Sequence, residues 1–201
     1  SARLVGSEMC IRDRNSLVSL RKKLEKEWKI LDHLVLNVGD GSIGSRDILD
    51  PIKWESSWNI NFTSALNSLK IFLPLIKKSK GSIVFISSIA GIEELGAPLA
   101  YSTAKSSLVT LAKGLSRKID SQVRVNVVNP GNIFFKGSIW ESKLKKNAKD
   151  VKEMIDKKVP LKKFGEPNDV ASLVLFLCSD KAKFINGSSI NVDGGQTIGF
   201  K

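Results

Sequence analysis

At 201 residues, with 42% hydrophobic and 26% charged residues, the chain has the size and balance of one globular domain able to bury a core. A single histidine and only two cysteines, Cys10 and Cys178, exclude a disulfide framework and argue against a metal centre. No apolar run is long enough to span a membrane, and no charged-then-apolar leader opens the chain. The net charge of +12 keeps nucleic acid in view. Lysines mixed with Glu and Asp, and without interleaved aromatics, read instead as a solvated surface, and the expected setting is a reducing cytoplasm.

Residues 1–14 (S-A-R-L-V-G-S-E-M-C-I-R-D-R) have no period and read as a non-native or disordered leader to a single domain over 15–201. Asn15 is the expected cap of a helix over Ser16–Trp28, where Leu17, Leu20 and Leu24 recur at helical spacing. Leu31–Val38 is a short apolar run ending at Gly39, the form of a buried parallel strand. His33 near its start reads as a strand-edge residue, since no triad pattern accompanies it. After a loop rich in Gly, Ser and Asp, Pro51 opens a long predicted helix with Trp54, Trp58, Phe62, Ala65 and Leu69 on one stripe. Asn61 sits inside this helix, where its propensity is poor, so it is either a tolerated solvent-facing residue or a functional one. Further strands are predicted at Ser82–Ser87, Val123–Val128 and Gly187–Val192. Between them lie a helix carrying Leu108, Leu111, Ala112 and Leu115, a Lys-dense helical insertion over Lys136–Lys163, and a helix over Asn168–Leu177 started by Pro167. Strands alternating with helices predict an α/β fold, a parallel sheet with helices on both faces.

The stretch Ser87–Lys105 carries the chemistry. It leaves a strand, crosses a loop punctuated by Gly and Pro, and enters a helix at Tyr101, the only tyrosine. Lys105 follows one helical turn later, on the same face. An ammonium beside a phenol favours phenolate and is expected to lower the Tyr101 pKa toward the working range of a general acid/base. Ser88, at the end of the strand, brings a hydroxyl to the same point.

This arrangement resembles the active site of the short-chain dehydrogenase/reductase family, in which Ser and Tyr-x-x-x-Lys act together. Five further motifs follow in the family's order. Leu36-Asn37-Val38-Gly39 stands where that family has its N-N-A-G turn. Asn61 completes a match to the catalytic tetrad Asn61, Ser88, Tyr101 and Lys105. Asn129-Pro130-Gly131-Asn132-Ile133 resembles the turn that meets the nicotinamide. Phe164–Val170 and Ile185–Gly195 resemble two more signatures.

The resemblance implies a Rossmann-like, doubly wound, three-layer α/β/α sheet and an NAD- or NADP-dependent enzyme interconverting a carbonyl and an alcohol, with 3-oxoacyl reduction among the activities it admits. It implies cofactor contacts from Asn37, Gly39, Tyr101, Lys105, Pro130, Gly131 and Ile133. It also implies an Asn61 that bends its helix and holds a water in a proton relay, a substrate lid over 136–163, no metal, and a homodimer or homotetramer. The lysines of the lid either form a solvated helix face or steer an acidic substrate or the cofactor phosphates.

Two substitutions depart from the pattern. Leu36 and Val38 replace the usual Asn and Ala. Phe134-Phe135 replaces a cofactor-binding Thr, for which Gly137 and Ser138 are the nearby substitutes. No Gly-rich dinucleotide fingerprint is read anywhere in the chain; in the family it lies in the first strand–helix turn. The chain is therefore expected to lack the first strands of the dinucleotide-binding half, roughly 60 residues at about 30 per βαβ unit. That lack would leave Leu31–Val38 as a bare sheet edge. An inactive fragment or oligomerisation module of the same fold, and a basic nucleic-acid binder, are the alternative functions.

Overall fold

The computed structural model describes residues 14–44, 48–119 and 122–199; the first thirteen residues, Cys10 among them, lie outside the described residues. Helix α1 (Arg14–Glu27) begins before the expected cap Asn15 and leads to strand β1 (His33–Leu36). Helix α2 (Pro51–Trp58), a π-turn over Asn59–Thr63 and α3 (Ser64–Ser79) connect β1 to β2 (Ser82–Ile86). Helix α4 (Leu99–Lys118) connects β2 to β3 (Arg124–Pro130). Helices α5 (Ile139–Lys146) and α6 (Ala148–Lys158), and then α7 (Pro167–Cys178), precede β4 (Ser189–Val192).

All strands are parallel, in the order β1-β2-β3-β4. Alternation along the strands divides the core between the two faces of the sheet. Leu36, Ile83, Phe85, Val125 and Val127 pack with Ala65, Leu69 and Ile76 of α3 and Leu108 and Ala112 of α4. Val84, Ile86 and Val128, from the other face, pack against Leu177 of α7 and Ala182. Leu17 and Leu24 of α1 close over Ile71, Phe72 and Leu75 of α3. The architecture is the expected three-layer α/β/α parallel sheet.

The strand advances one place at each crossover, yet α3 and α4 lie on one face and α7 on the other. The β3–α7–β4 connection therefore has the opposite hand to the two before it. With the first two following the right-handed rule, the last is a left-handed crossover.

Strand β1 is at the sheet edge, not buried. His33 is exposed, with Nδ1 2.9 Å from Ser82 Oγ, and Val35 is 43% exposed on the face opposite the α3 layer. The predicted single stripe from Trp54 to Leu69 is broken by the π-turn. Ala65 and Leu69 are buried whereas Trp58 and Phe62 stay half-buried, edge to face at 5.2 Å. The Lys-dense segment is two helices divided at Asn147, which ends one and caps the other through Asp150 N. Val151, Ile155 and Val159 are buried along its inner side, so it is packed as well as solvated.

Candidate active site

The carboxyl ends of the strands carry the residues singled out in the sequence, and the π-turn is what sets the first of them. Ser64 N bonds to Asn59 O in place of an α-type partner, which widens the turn and frees carbonyls. Side chains satisfy those carbonyls: Asn61 Nδ2 donates to Ser57 O at 3.0 Å and Ser64 Oγ to Ile60 O at 2.5 Å. Asn61 is fully buried, not solvent-facing. Its Oδ1 accepts from Asp40 N at 2.8 Å and its Nδ2 donates to Asp40 O at 3.0 Å. The amide thus clamps the loop after β1 to the helix. The expected bend is present; both amide hydrogens are occupied by protein carbonyls, so the side chain acts here as a fastener.

Lys105 lies 3% exposed on the inner side of α4, its Nζ donating to Ile86 O at 3.1 Å. Burial pushes its ammonium down to about pKa 8. Its Nζ is 5.8 Å from the centre of the Tyr101 ring. The Tyr101 hydroxyl is hydrogen-bonded to the Ser88 hydroxyl. Ser88 also caps a short turn, accepting from Ala90 N at 3.2 Å. Ser87, which the sequence reading treated only as a strand end, fixes α4 to β2 by donating from Oγ to Lys105 O at 2.8 Å.

The Tyr101 pKa is raised, contrary to expectation. Burial of the phenol is the main cause; the Ser88 bond opposes it, and the Asp40 carboxylate adds to it. Lys105 does not reverse the direction because its ammonium points inward to the Ile86 carbonyl. Asp40 had no distinguishing pattern in the sequence. Its importance comes from the loop fold that brings it to Asn61 and Tyr101.

The loop that holds Asp40 also carries a glycine pattern. Gly39-Asp40-Gly41-Ser42-Ile43-Gly44 has the spacing G-x-G-x-x-G and follows a strand, but no helix opens behind it, since α2 starts at Pro51. A Cβ on Gly39 would lie 2.7 Å from Lys105 Nζ and 2.9 Å from Asn61 Oδ1. A Cβ on Gly41 would lie 3.6 Å from the Tyr101 ring, and one on Gly44 3.3 Å from Pro98. These glycines let the backbone lie close over Lys105 and Tyr101; they do not form a helix-backed anion cradle.

The remaining candidates are more dispersed. Asn37 is exposed beyond β1. Pro130 ends β3, and Gly131 N donates to Val192 O at 2.9 Å, with Asp193 so near that a Cβ on Gly131 would stand 2.8 Å from its Cα. Ile133 bridges to Gly165 at the base of the segment carrying α5 and α6, where Phe134 N donates to Gly165 O and Gly165 N to Asn132 O. Phe134 and Trp140 both pack against Phe164 with tilted rings, at centroid distances of 5.9 and 5.4 Å. Ser138 and Gly137 are not free substitutes for the missing Thr. Ser138 Oγ caps α5 through Glu141 N at 3.3 Å, and Gly137, at φ +90°, donates to Glu141 Oε2 at 2.8 Å. Among the described residues no cluster of His, Cys, Asp or Glu could hold a metal ion, and no helix is long and apolar enough to cross a membrane.

The family model described as Enoyl-(Acyl carrier protein) reductase matches residues 3–197. The chain is 30% identical over 190 residues to 3-oxoacyl-[acyl-carrier-protein] reductase of Thermotoga maritima, covering 94% of this chain and 75% of that one. It is 36% identical over 174 residues to an Arabidopsis thaliana tropinone reductase homolog, covering 84% of this chain and 62% of the relative. An oxidoreductase of the short chain dehydrogenase/reductase family from Burkholderia thailandensis superposes with TM-score 0.83 at 31% identity, over 97% of this chain and 73% of that one. L-sorbose reductase of Gluconobacter frateurii, solved with NADPH and L-sorbose, superposes with TM-score 0.85 at 25% identity, over 94% and 75%. The chain belongs to the short-chain dehydrogenase/reductase family of oxidoreductases.

One structural consequence is directly measurable. Asn61→Ala removes the partners of Asp40 N–H, Asp40 C=O and Ser57 C=O at a fully buried position. It is expected to lower unfolding free energy by about 2 kcal/mol in urea titration.

Proposed function

We propose that this chain carries the acid/base half of an NAD- or NADP-dependent carbonyl reductase, with Tyr101 as proton donor. The observation that carries the reading is the convergence of Ser88, Tyr101 and a buried Lys105 on one point at the carboxyl end of β2. The residues fit the nicotinamide end of the cofactor. Lys105 and Tyr101 would hold its ribose, and the loop of Asn37 and Gly39 would flank it, with the turn of Pro130, Gly131 and Ile133 on the β3 side. For the pyrophosphate end no helix-backed glycine turn is present among the described residues. When bound, the nicotinamide supplies the hydride.

The protons are the work of the chain. Tyr101, held in its neutral form by burial and by the Asp40 charge, gives its hydroxyl proton to the oxygen of a small-molecule carbonyl as the alcohol forms. Ser88 donates to the same oxygen and stabilises its developing charge. Lys105, mostly charged at neutral pH, offsets the phenolate left behind. Asn61 positions Asp40 and Gly39 against these groups. The names of the relatives make a 3-oxoacyl thioester, tropinone and L-sorbose the first substrates to try.

Fluorescence titration with NADH and NADPH, followed by absorbance-monitored oxidation of each against such carbonyls, tests the reading. Saturable binding and carbonyl-dependent oxidation support it. No binding and no oxidation reject it for this chain.

A further inference from the structure

The chain beyond β4 recrosses the carboxyl edge of the sheet. Asp193 turns it, with Oδ1 accepting from Gly195 N at 3.0 Å and Oδ2 from Thr197 N at 2.8 Å and Thr197 Oγ1 at 2.7 Å. Over the end of β3, Gln196 Oε1 accepts from Asn132 Nδ2 at 2.8 Å. The segment then reaches the connection between Ser88 and Tyr101. There Glu93 accepts from Ile198 N at 3.0 and 3.2 Å through its two oxygens, and from Gly199 N at 2.5 Å. Successive amides on one carboxylate are charge-assisted hydrogen bonds, stronger than neutral ones. On its lid side the same strap packs Gly194, at φ +65°, against Val159 and Leu161, and Leu161 N donates to Gly194 O at 3.1 Å. Residues 193–199 therefore tie the base of the lid to the rim beside the Ser88–Tyr101 pair. The Ile198 side chain is 87% exposed although its backbone is held.

We propose that Glu93 is a specificity-determining positioning residue: its carboxylate latches the 193–199 strap across the rim and so limits the bulk of molecules that reach the Tyr101 hydroxyl. The link to substrate choice rests on Tyr101 being the reacting group; the latch itself does not.

Tyr101 is the only tyrosine, so acylation mapped to its own peptide reports on this one hydroxyl and is kept apart from acylation of Cys10 and Cys178, which hydroxylamine also reverses. The rates would be compared for N-acetylimidazole and its naphthoyl analogue, in the wild type, Glu93→Ala and Glu93→Gln. Hydrogen exchange at Ile198 and Gly199 would be followed in the same samples. Release of the strap in Glu93→Ala is expected to speed the naphthoyl reaction at least about tenfold and the acetyl reaction much less, with loss of amide protection. Glu93→Gln, which keeps acceptor oxygen and shape, should fall between the two; it also decides the matter if the Ala variant does not fold. Amides equally protected in both variants, or amides released with no change in the size preference, would overturn the latch. A wild type without carbonyl reduction would count against the proposed activity, while the labelling result on the strap stands independently.

Discussion

Tyr101→Phe is expected to lower carbonyl reduction by about 10²–10⁴-fold, the usual contribution of a positioned general acid. The substitution keeps the ring that fills the space beneath Gly41 and removes the hydroxyl bonded to Ser88. Stability should change by no more than about 1 kcal/mol, the net worth of one hydrogen bond. Parallel measurement of kcat and of urea unfolding separates the two effects. The pH signature follows Lys105: the wild-type reductive rate should persist through the neutral range and fall as the Lys105 ammonium is lost above about pH 8, before Tyr101, whose own pKa is raised, ionises. A Phe variant with most of the wild-type rate would remove Tyr101 from the role of acid.

Lys105 should appear in the pH dependence of stability, with an unusual sign. Its folded pKa of about 8 lies below its ordinary value of 10.5, because burial disfavours the ammonium. Below about pH 8 both folded and unfolded chains bind this proton and the whole penalty is present. Between about pH 8 and 10.5 the unfolded chain binds a proton that the folded chain has released, so stability rises with pH. At about 1.36 kcal/mol per pH unit the penalty is on the order of 3 kcal/mol. Lys105→Met should accordingly be more stable than the wild type near neutral pH, with the difference shrinking as pH rises. Urea unfolding of both proteins from about pH 7 to about pH 10 measures this. Cys178, whose raised pKa makes stability fall as pH rises, is common to both proteins and leaves the difference curve; Tyr101 lies beside Lys105, so the same pair is also compared in a Tyr101→Phe background. A difference that does not vary with pH would mean that Lys105 titrates as it does in water.

The alternation of strands and helices was legible because its signals are local. The apolar runs of β2 and β3 and the periodic leucines of α4 lie in one window of sequence each. The Ser88, Tyr101 and Lys105 spacing was legible for the same reason, since a strand end and one helical turn fix their relative places. What escaped was non-local. The role of Asn61 depends on its bonds to Asp40, 21 residues away, and no propensity encodes those. The glycine loop was legible as a pattern, but its meaning lay in Lys105, Tyr101 and Pro98, which it touches. The direction of the Tyr101 pKa required the depth of the pocket and the aim of the Lys105 ammonium, both tertiary facts. The strap was invisible for a plainer reason: its bonds run from backbone amides, and nothing in the sequence marks Glu93 among the other acids as their acceptor.

The left-handed β3–α7–β4 crossover bears on the order of assembly. Strands β1 to β3 are linked by helical crossovers, α2 with α3 and then α4, and their shared layer of α3 and α4 can collapse as it forms. Strand β4 must wait while the chain from Pro130 to Ser189 makes its excursion through α5 and α6 and returns across the opposite face. Closing so long a loop costs entropy that its contacts repay only on docking. The β1–β2–β3 unit should therefore fold first, with β4 and the segment beyond it added last, so that the rim of the site is also the final part of the domain to become ordered.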